Sequence, residues 1–410
     1  MEPLFESPEN HVGDTYFAPV SDAREKYGKS RIKHVFEIWK YCRKHMFFSR
    51  EEYYKYGFHK IRDLDFATAS RFVGIPQFQK IALELNDAKS TGFKISTNKL
   101  LSEWAFRQTG LPTPRTLATF GVPPVVPEAE FLETPESITA FLKDSGDRAL
   151  FGKPPGGTGS NGILNIAQAC DAGGHTVFAD GRKLPADAVA EAIASEFSNG
   201  YMFQERIVQH PRIRALSGDS VSTIRVVVVQ TEQGPTVLHA VWKLASPSSL
   251  ADNSWRSDIS ICLLDSDSGE IRRATTFVNG EIEEVAVHGK DKTPLIGMSP
   301  PHWKAARDLS LRAAEAFPDL ALTGWDIAIG PDGPMIVEVN PGPGSLLYQV
   351  SAGKGLRTPE FESQRASAHR RLEKRRKRKD TVPGIKGKPR SASNRRLARL
   401  RRFDVWNLIL

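Results

Sequence analysis

The sequence predicts an α+β protein built on antiparallel sheets, and three observations carry that expectation. Runs of β-branched and aromatic residues follow one another across residues 149–153, 163–168, 176–179, 201–206, 222–230, 236–245, 259–264, 270–278, 322–329 and 335–339. Only two helical periodicities interrupt them, at 186–197 and 302–317, whereas a doubly wound parallel sheet needs a helix after nearly every strand. The last two runs are joined by Pro331-Asp-Gly-Pro334, a tight-turn sequence that reads as a hairpin.

The elements before these strands are helical. Residues 21–86 are rich in Lys, Glu and aromatics, and Glu51 to Tyr56 form a short amphipathic helix stopped by Gly57. The aromatics there read as packing residues. Residues 98–110 predict a helix with Leu100, Leu101, Trp104 and Ala105 on its apolar face. Gly110 stops it, and Pro112 and Pro114 prevent its resumption.

Composition excludes several classes. The chain has 410 residues, 40% apolar and 25% charged, enough for two or three compact units. No run approaches the roughly 18 apolar residues of a membrane-spanning helix, and no basic segment followed by an apolar one opens the sequence. Cys42, Cys170 and Cys262 form no CxxC pair, so reduced, cytoplasmic thiols are expected.

The net charge of +8 is concentrated in one place. Residues 365–402 hold 17 Lys and Arg against two acids, leaving 39 basic and 46 acidic residues elsewhere. The stretch 351–410 is therefore expected to be a basic tail, self-repelling and disordered or partly an amphipathic helix. Leu397, Leu400, Phe403 and Trp406 recur every third residue among arginines, a pattern suited to an anionic membrane surface through residues 365–410. A purely solvated tail and phosphate neutralisation on nucleic acid are the competing readings. No RNA-binding motif accompanies the charge, so no specific nucleic acid is expected.

Two constellations carry chemistry. Lys153 precedes Gly156, Gly157, Gly159 and Gly162, and the loop joins two strands instead of opening a helix. It is therefore neither a P-loop nor a dinucleotide fingerprint. A strand–glycine loop–strand can cover a triphosphate with backbone N–H groups, and the lysine can reach the same phosphates. An ordinary glycine-rich hairpin is the bland reading. In the second constellation, Glu338 and Asn340 lie two residues apart on one strand and share a face, with Asp326 on the partner strand. These hard oxygen donors suit Mg²⁺ bridging phosphates.

The order of these parts resembles ATP-grasp enzymes. Gln204-Glu205-Arg-Ile207, Gln209-His210-Pro211, Ser222-Thr-Ile-Arg225, Ala251-Asp252-Asn253 and Gly324-Trp-Asp326 look like the sugar-transfer-associated ATP-grasp family. The resemblance runs from about residue 86 to 344. It implies two α+β lobes gripping ATP, with a helical region at 1–86, an ATP-grasp domain at 87–350 and a lobe division near 203–204. It also implies an ATP- and Mg²⁺-dependent, ADP-forming ligase, in which a small-molecule or glycan-linked carboxylate becomes an acyl phosphate and an amine or other nucleophile attacks it. Work on cell-surface polysaccharide or its precursors is implied by association, with a peripheral place at the inner membrane face. In this reading Lys99, Lys153, Gly156, Gly157 and Gly159 hold phosphates. Gln204, Glu205, Ile207 and His210 frame the nucleotide, and Asp326, Glu338 and Asn340 hold Mg²⁺. Arg225 and Lys243 are the catalytic candidates, and Asp252 and Asn253 border the substrate. Arg225 could instead snorkel from a strand end, and His210 could be a helix or turn cap. One departure stands out: Ser257-Asp258 occupies a place where a Gly-Gly pair is expected. That departure leaves room for a non-catalytic, membrane-tethered nucleotide-binding scaffold.

Overall fold

The computed structural model describes residues 4–5, 26–156, 162–247, 259–278 and 281–381. Its N-terminal region is helical because capping and aromatic packing reinforce each other. Helix α1 (Arg31–Glu37) runs on into a π-helical stretch, Ile38–Lys44, and α2 (Arg50–Lys55) opens on a capping box of Ser49 and Glu52. With α3 (Phe66–Arg71) they enclose Tyr41, Phe48, Tyr53, Tyr54, Phe58 and Phe72. These six aromatics are core, the packing role that the sequence suggests for them. The surprise inside them is Lys29, whose fully buried ammonium pairs with Glu37 and donates to the Tyr53 hydroxyl at 2.9 Å and the Phe58 carbonyl at 2.7 Å.

Helix α4 (Ile75–Leu85) ends at Asn86, a fully buried residue. Its amide donates to the carbonyls of Leu322, at 2.6 Å, and Pro341, while its oxygen accepts from the N–H groups of Ala321 and Leu322. One side chain thus fastens the helical region to the sheet behind it. Two helices follow, α5 (Thr91–Ser96) and α6 (Lys99–Gln108).

The first sheet contains β1 (Thr116–Phe120), β2 (Glu130–Leu132), β3 (Leu150–Lys153), β4 (Leu164–Gln168), β5 (His175–Phe178), β6 (Lys183–Pro185) and β7 (Tyr201–Glu205). Their order is β2-β1-β7-β3-β4-β5-β6, antiparallel except for β1 with β2. Helices α7 (Pro135–Ser145) and α8 (Ala186–Glu196) pack on it, with Ile138, Leu142, Val189 and Ile193 against Leu150, Ile166 and Phe203. The strands β1, β2 and β6 and helix α7 do not emerge from the sequence pattern. They are short or half-exposed, although Thr134 and Pro135 are a recognisable helix start.

After α9 (Pro211–Ser217) comes the second sheet: β8 (Thr223–Thr231), β9 (Gly234–Leu244), β10 (Ser260–Leu264), β11 (Ile271–Val278) and β12 (Glu281–Glu284). A small pair, β13 (Val287–His288) and β14 (Thr293–Pro294), and helix α10 (Trp303–Ala316) precede β15 (Leu322–Gly330) and β16 (Gly333–Asn340). The order β12-β11-β10-β9-β8-β15-β16 is antiparallel throughout. Strand β8 is apolar on both faces because both are covered. Val226 and Val228 face a core that includes α10, while Val227 and Val229 face Ile81 and Leu85 of α4.

The basic tail expectation needs a correction in its first part. After α11 (Leu346–Ala352), α12 (Pro359–Thr381) docks on the second sheet, burying Phe361 and Ala368 beside Val227 and Val229. Its cations find acids on the body: Arg365 with Glu84 at 2.7 Å, Arg370 and Lys374 with Glu232, and Arg375 with Asp319 at 2.9 Å. Self-repulsion is offset by these acids, a pairing that charge counting along the sequence does not reveal. Residues 382–410, with the Leu397 to Trp406 pattern, lie outside the described residues. Among the described residues no helix is long and apolar enough to cross a membrane.

Candidate active site

The site begins with helix α6. Asn98 caps it, its side-chain oxygen accepting from the N–H groups of Leu100 and Leu101. This sets Lys99 at the first turn, where its own N–H donates to the Pro155 carbonyl at 3.1 Å. That bond brings Lys99 to the loop leaving β3, and hence to Lys153. The face of α6 differs from the apolar stripe expected. Trp104 is 40% exposed, whereas Glu103 is buried. Glu103 turns inward because Thr116 donates to it through both N–H, at 2.8 Å, and hydroxyl, and Gln204 donates from 3.1 Å. A carboxylate satisfied by three donors can occupy a buried position, so the expected stripe holds at Leu100 and fails at Trp104, with Glu103 inside instead.

Lys99, Glu103, Lys153, Gln204 and Glu338 line one cleft between the two sheets. Glu338 is the nearest described carboxylate to Lys99, at 3.6 Å. Lys153 is buried, its ammonium 5.7 Å from the Phe151 ring. Burial first, and the charge of Lys99 next, lower its pKa to about 8; Glu338 and Glu103 oppose the shift. Burial and the neighbouring Lys99 charge thus outweigh the two carboxylates at Lys153, which is an anion-receptive arrangement.

The glycine loop above this cleft is fixed at both stems. A Cβ on Gly152 would lie 2.7 Å from the Tyr201 hydroxyl, and one on Gly162 would lie 2.3 Å from the Phe197 ring. Gly162 also has φ +73°, and its carbonyl accepts from Tyr201 at 2.8 Å. Gly156 sits in open space at the first stem. Gly157 and Gly159 lie outside the described residues, as do Asp252, Asn253 and the Ser257-Asp258 departure.

A second cluster adjoins the first across the sheet. Asp326 stands directly opposite Glu338 on β16 and Arg225 on β8. Arg225 grips its carboxylate with Nε and Nη2, the latter at 2.7 Å, and Lys243 lies 3.5 Å away. Burial alone would raise the Asp326 pKa; Arg225 and Lys243 overcome it and hold the carboxyl at about 2. The guanidinium also donates to the Pro343 carbonyl at 3.1 Å, so the chain leaving β16 folds back over it. Gly324 permits that approach, since a Cβ there would stand 2.6 Å from Pro343 Cβ. Arg225 therefore does more than snorkel from a strand end.

The metal expectation divides on this geometry. Glu338 is part-exposed beside the lysines, and Asn340 follows two residues later with its Nδ2 buried and unpartnered. A carboxamide that the fold does not satisfy, next to an accessible carboxylate, fits a Mg²⁺ ion completed by phosphates and water once the amide is turned oxygen-inward. Asp326 does not fit in the same way, because both its oxygens are taken by cations. Among the described residues no group of three or more His, Cys, Asp or Glu could hold a metal, so any ion here needs Asn340 and a ligand.

The remaining expected residues lie where the lobes connect. The Glu205 N–H donates to the Arg115 carbonyl at 2.9 Å, and its carboxylate turns outward onto the Arg115 guanidinium. Ile207 is half-buried in the segment that follows. His210 is the cap of α9, its Nδ1 accepting from the Arg212 N–H at 3.2 Å. Sequence reasoning missed Glu103 and Arg115. The only signal for the first was the Glu103/Lys99 spacing of one helical turn, and for the second the proximity of Arg115 to two prolines.

A family model described as sugar-transfer associated ATP-grasp matches residues 80–363. Several solved structures are similar. A D-alanine-D-alanine ligase from Coxiella burnetii is 12% identical, with 70% of this chain and 62% of that one covered and a TM-score of 0.38. D-cycloserine synthetase DcsG is 14% identical, covering 69% and 71% with a TM-score of 0.37. The ATP-grasp ligase PsnB, complexed with minimal precursor, Mg and ADP, is 17% identical, covering 67% and 60% with a TM-score of 0.33. The chain thus spans about 60% of the length of the PsnB chain and of the Coxiella ligase. No curated protein matches.

Proposed function

The chain belongs to the sugar-transfer associated ATP-grasp family, and from that premise we propose that it is an ATP- and Mg²⁺-dependent, ADP-forming ligase. The observation that carries the proposal is the convergence of Lys99 and Lys153, from a helix and a strand of different parts of the fold, on one cleft beside Glu338. Lys153 and Lys99 neutralise the phosphates, and the loop after Gly156 covers them. Glu338 and Asn340 would hold the metal, which would supply charge neutralisation on the transferred phosphoryl group. Gln204 and the chain around Glu205, Ile207 and His210 border the base.

In the reaction, a substrate carboxylate oxygen bonds to the γ-phosphorus and the bond to the β-phosphate oxygen breaks, releasing ADP. A nucleophile, an amine in the simplest case, then attacks the acyl carbon, loses a proton and expels phosphate. Arg225 stands ready for the charge that develops on the acyl-phosphate oxygens, and Lys243 stands beside it. Asp326 holds Arg225 in place. The family description, sugar-transfer associated, suggests a sugar-linked substrate, and we take a cell-surface polysaccharide or its precursor as the candidate.

The test pairs binding with turnover. A non-hydrolysable ATP analogue should raise the melting temperature of the wild type only with Mg²⁺, and Glu338→Gln should lose that shift while remaining folded. ADP release in the presence of acid and amine libraries should vanish in the same variant. A Mg²⁺-dependent shift in the wild type without ADP release for any acceptor would favour the scaffold reading.

A further inference from the structure

The helical N-terminal region carries an apolar face that the nucleotide site does not use. Along α1 and its π-helical continuation, Ile32 is 86% exposed, Val35 57%, Phe36 53% and Trp39 49%. Their spacing of three, four and seven places them on one side of the helix. The rings of Phe36 and Trp39 lie 5.7 Å apart, so the row is continuous. These large side chains would be expected inside a domain, yet the core of this region lies on the opposite side, around Tyr41, Tyr53 and Phe58.

The charge around the row is predominantly basic. From Arg31 to Arg50 the sequence holds Arg31, Lys33, Lys40, Arg43, Lys44 and Arg50 against one acid, Glu37, which is buried against Lys29. Lys33 is paired with Asp63. The Lys44 ammonium lies 5.7 Å from the Trp39 ring, and Lys40 lies 5.9 Å from Phe66, itself 46% exposed. Cations on long stems beside exposed aromatic rings can rise to headgroup phosphates while the rings enter the acyl boundary. The same basic excess opposes a second copy docked face to face, because mostly like charges would then meet.

We propose that this face of residues 31–44 lies on an anionic lipid bilayer, with Ile32, Val35, Phe36 and Trp39 inserted at the interface and Lys40 and Lys44 among the headgroups. The surface is separate from the basic C-terminal helix, whose arginines are engaged with Glu84, Glu232 and Asp319. It is also independent of the ligase reading. A membrane-borne acceptor could reach the enzyme through it, but binding requires no turnover.

The experiment uses the full chain with vesicles of phosphatidylcholine alone or with 30% phosphatidylglycerol (about a third anionic lipid). Wild type should co-sediment with the anionic vesicles, and Ile32→Ser/Phe36→Ser and Lys40→Glu/Lys44→Glu should each weaken binding about tenfold or more. Both pairs are at the surface, so circular dichroism and melting should stay unchanged. Trp39→Phe gives a position-specific readout. Brominated lipids should quench the wild type more than Trp39→Phe, the difference being the Trp39 signal. Equal binding by wild type and both pairs would overturn the proposal and assign vesicle binding to another part of the chain. Absence of wild-type binding would overturn it too. So would a wild-type dimer that Ile32→Ser/Phe36→Ser converts to monomer, since a second copy would then be the occupant.

Discussion

At the scale of single residues, the site holds two opposite electrostatic contributions. Lys153 is uncomfortable in the empty protein. Its folded pKa, about 8, lies below the ordinary lysine value of 10.5, so the unfolded chain holds more protons between those values and stability rises with pH there. The cost is fully present below pH 8. Lys153→Met should therefore stabilise the unliganded protein by about 1–3 kcal/mol while abolishing the ATP-induced melting shift, and it should flatten the rise in melting temperature between pH 8 and 10.5. A variant that melts lower and still responds to nucleotide would contradict both assignments. Asp326 is the reverse case. Its carboxyl, at about 2, contributes stability above the unfolded value near 3.9, lost as pH falls through 2. Asp326→Asn removes the buried carboxylate that Arg225 and Lys243 share and should cost about 3–5 kcal/mol in denaturant titrations at pH 7. The sequence made the chemical types at these positions legible, since Lys153, Glu338 and Asn340 are polar residues on apolar strands. It could not show that Asp326 answers to Arg225, because 101 residues separate the partners.

At the scale of elements, strands were far more legible than the surfaces they present. The runs around Val226 to Val229 and the Pro331–Pro334 turn each carry their own local signal, and β8, β15 and β16 form there. What failed was the facing of α6 and the fate of α12, and both failures have one cause. A helix face is set by what the other side offers: Thr116 and Gln204 for Glu103, and Glu84, Glu232 and Asp319 for the arginines of α12. Such partners are remote in sequence. If α12 is structural, Phe361→Ala should destabilise the protein by about 3–5 kcal/mol, read from urea unfolding, since its ring is buried beside Val227 and Val229. Asn86→Ala should cost about 2–4 kcal/mol by stranding the carbonyls of Leu322 and Pro341 and the N–H groups of Ala321 and Leu322. A loss under half a kcal/mol in either would mean that the surrounding packing holds without them.

At the scale of the whole molecule, the α+β class and the antiparallel sheets follow from strand succession alone, and the cleft lies where the two sheets face each other. The sequence suggested that cleft only through the order of its motifs. A nucleotide at about 100 times its dissociation constant should add about 2.7 kcal/mol to stability, and hydrogen exchange should then slow at both stems of the glycine loop and in α6. Protection confined to one sheet would argue against a ligand held between them. Helix α6 gives that last point its weight. Glu103 ties it to β1 and β7 of the first sheet, and Phe106 packs on Trp325 of the second at 6.1 Å and on Phe317, at the end of α10, at 5.7 Å. The helix is thus a rivet seated in both halves of the machine. Parting the lobes would have to loosen one of its two seats, and Lys99, at its tip, would stay with the half that kept hold.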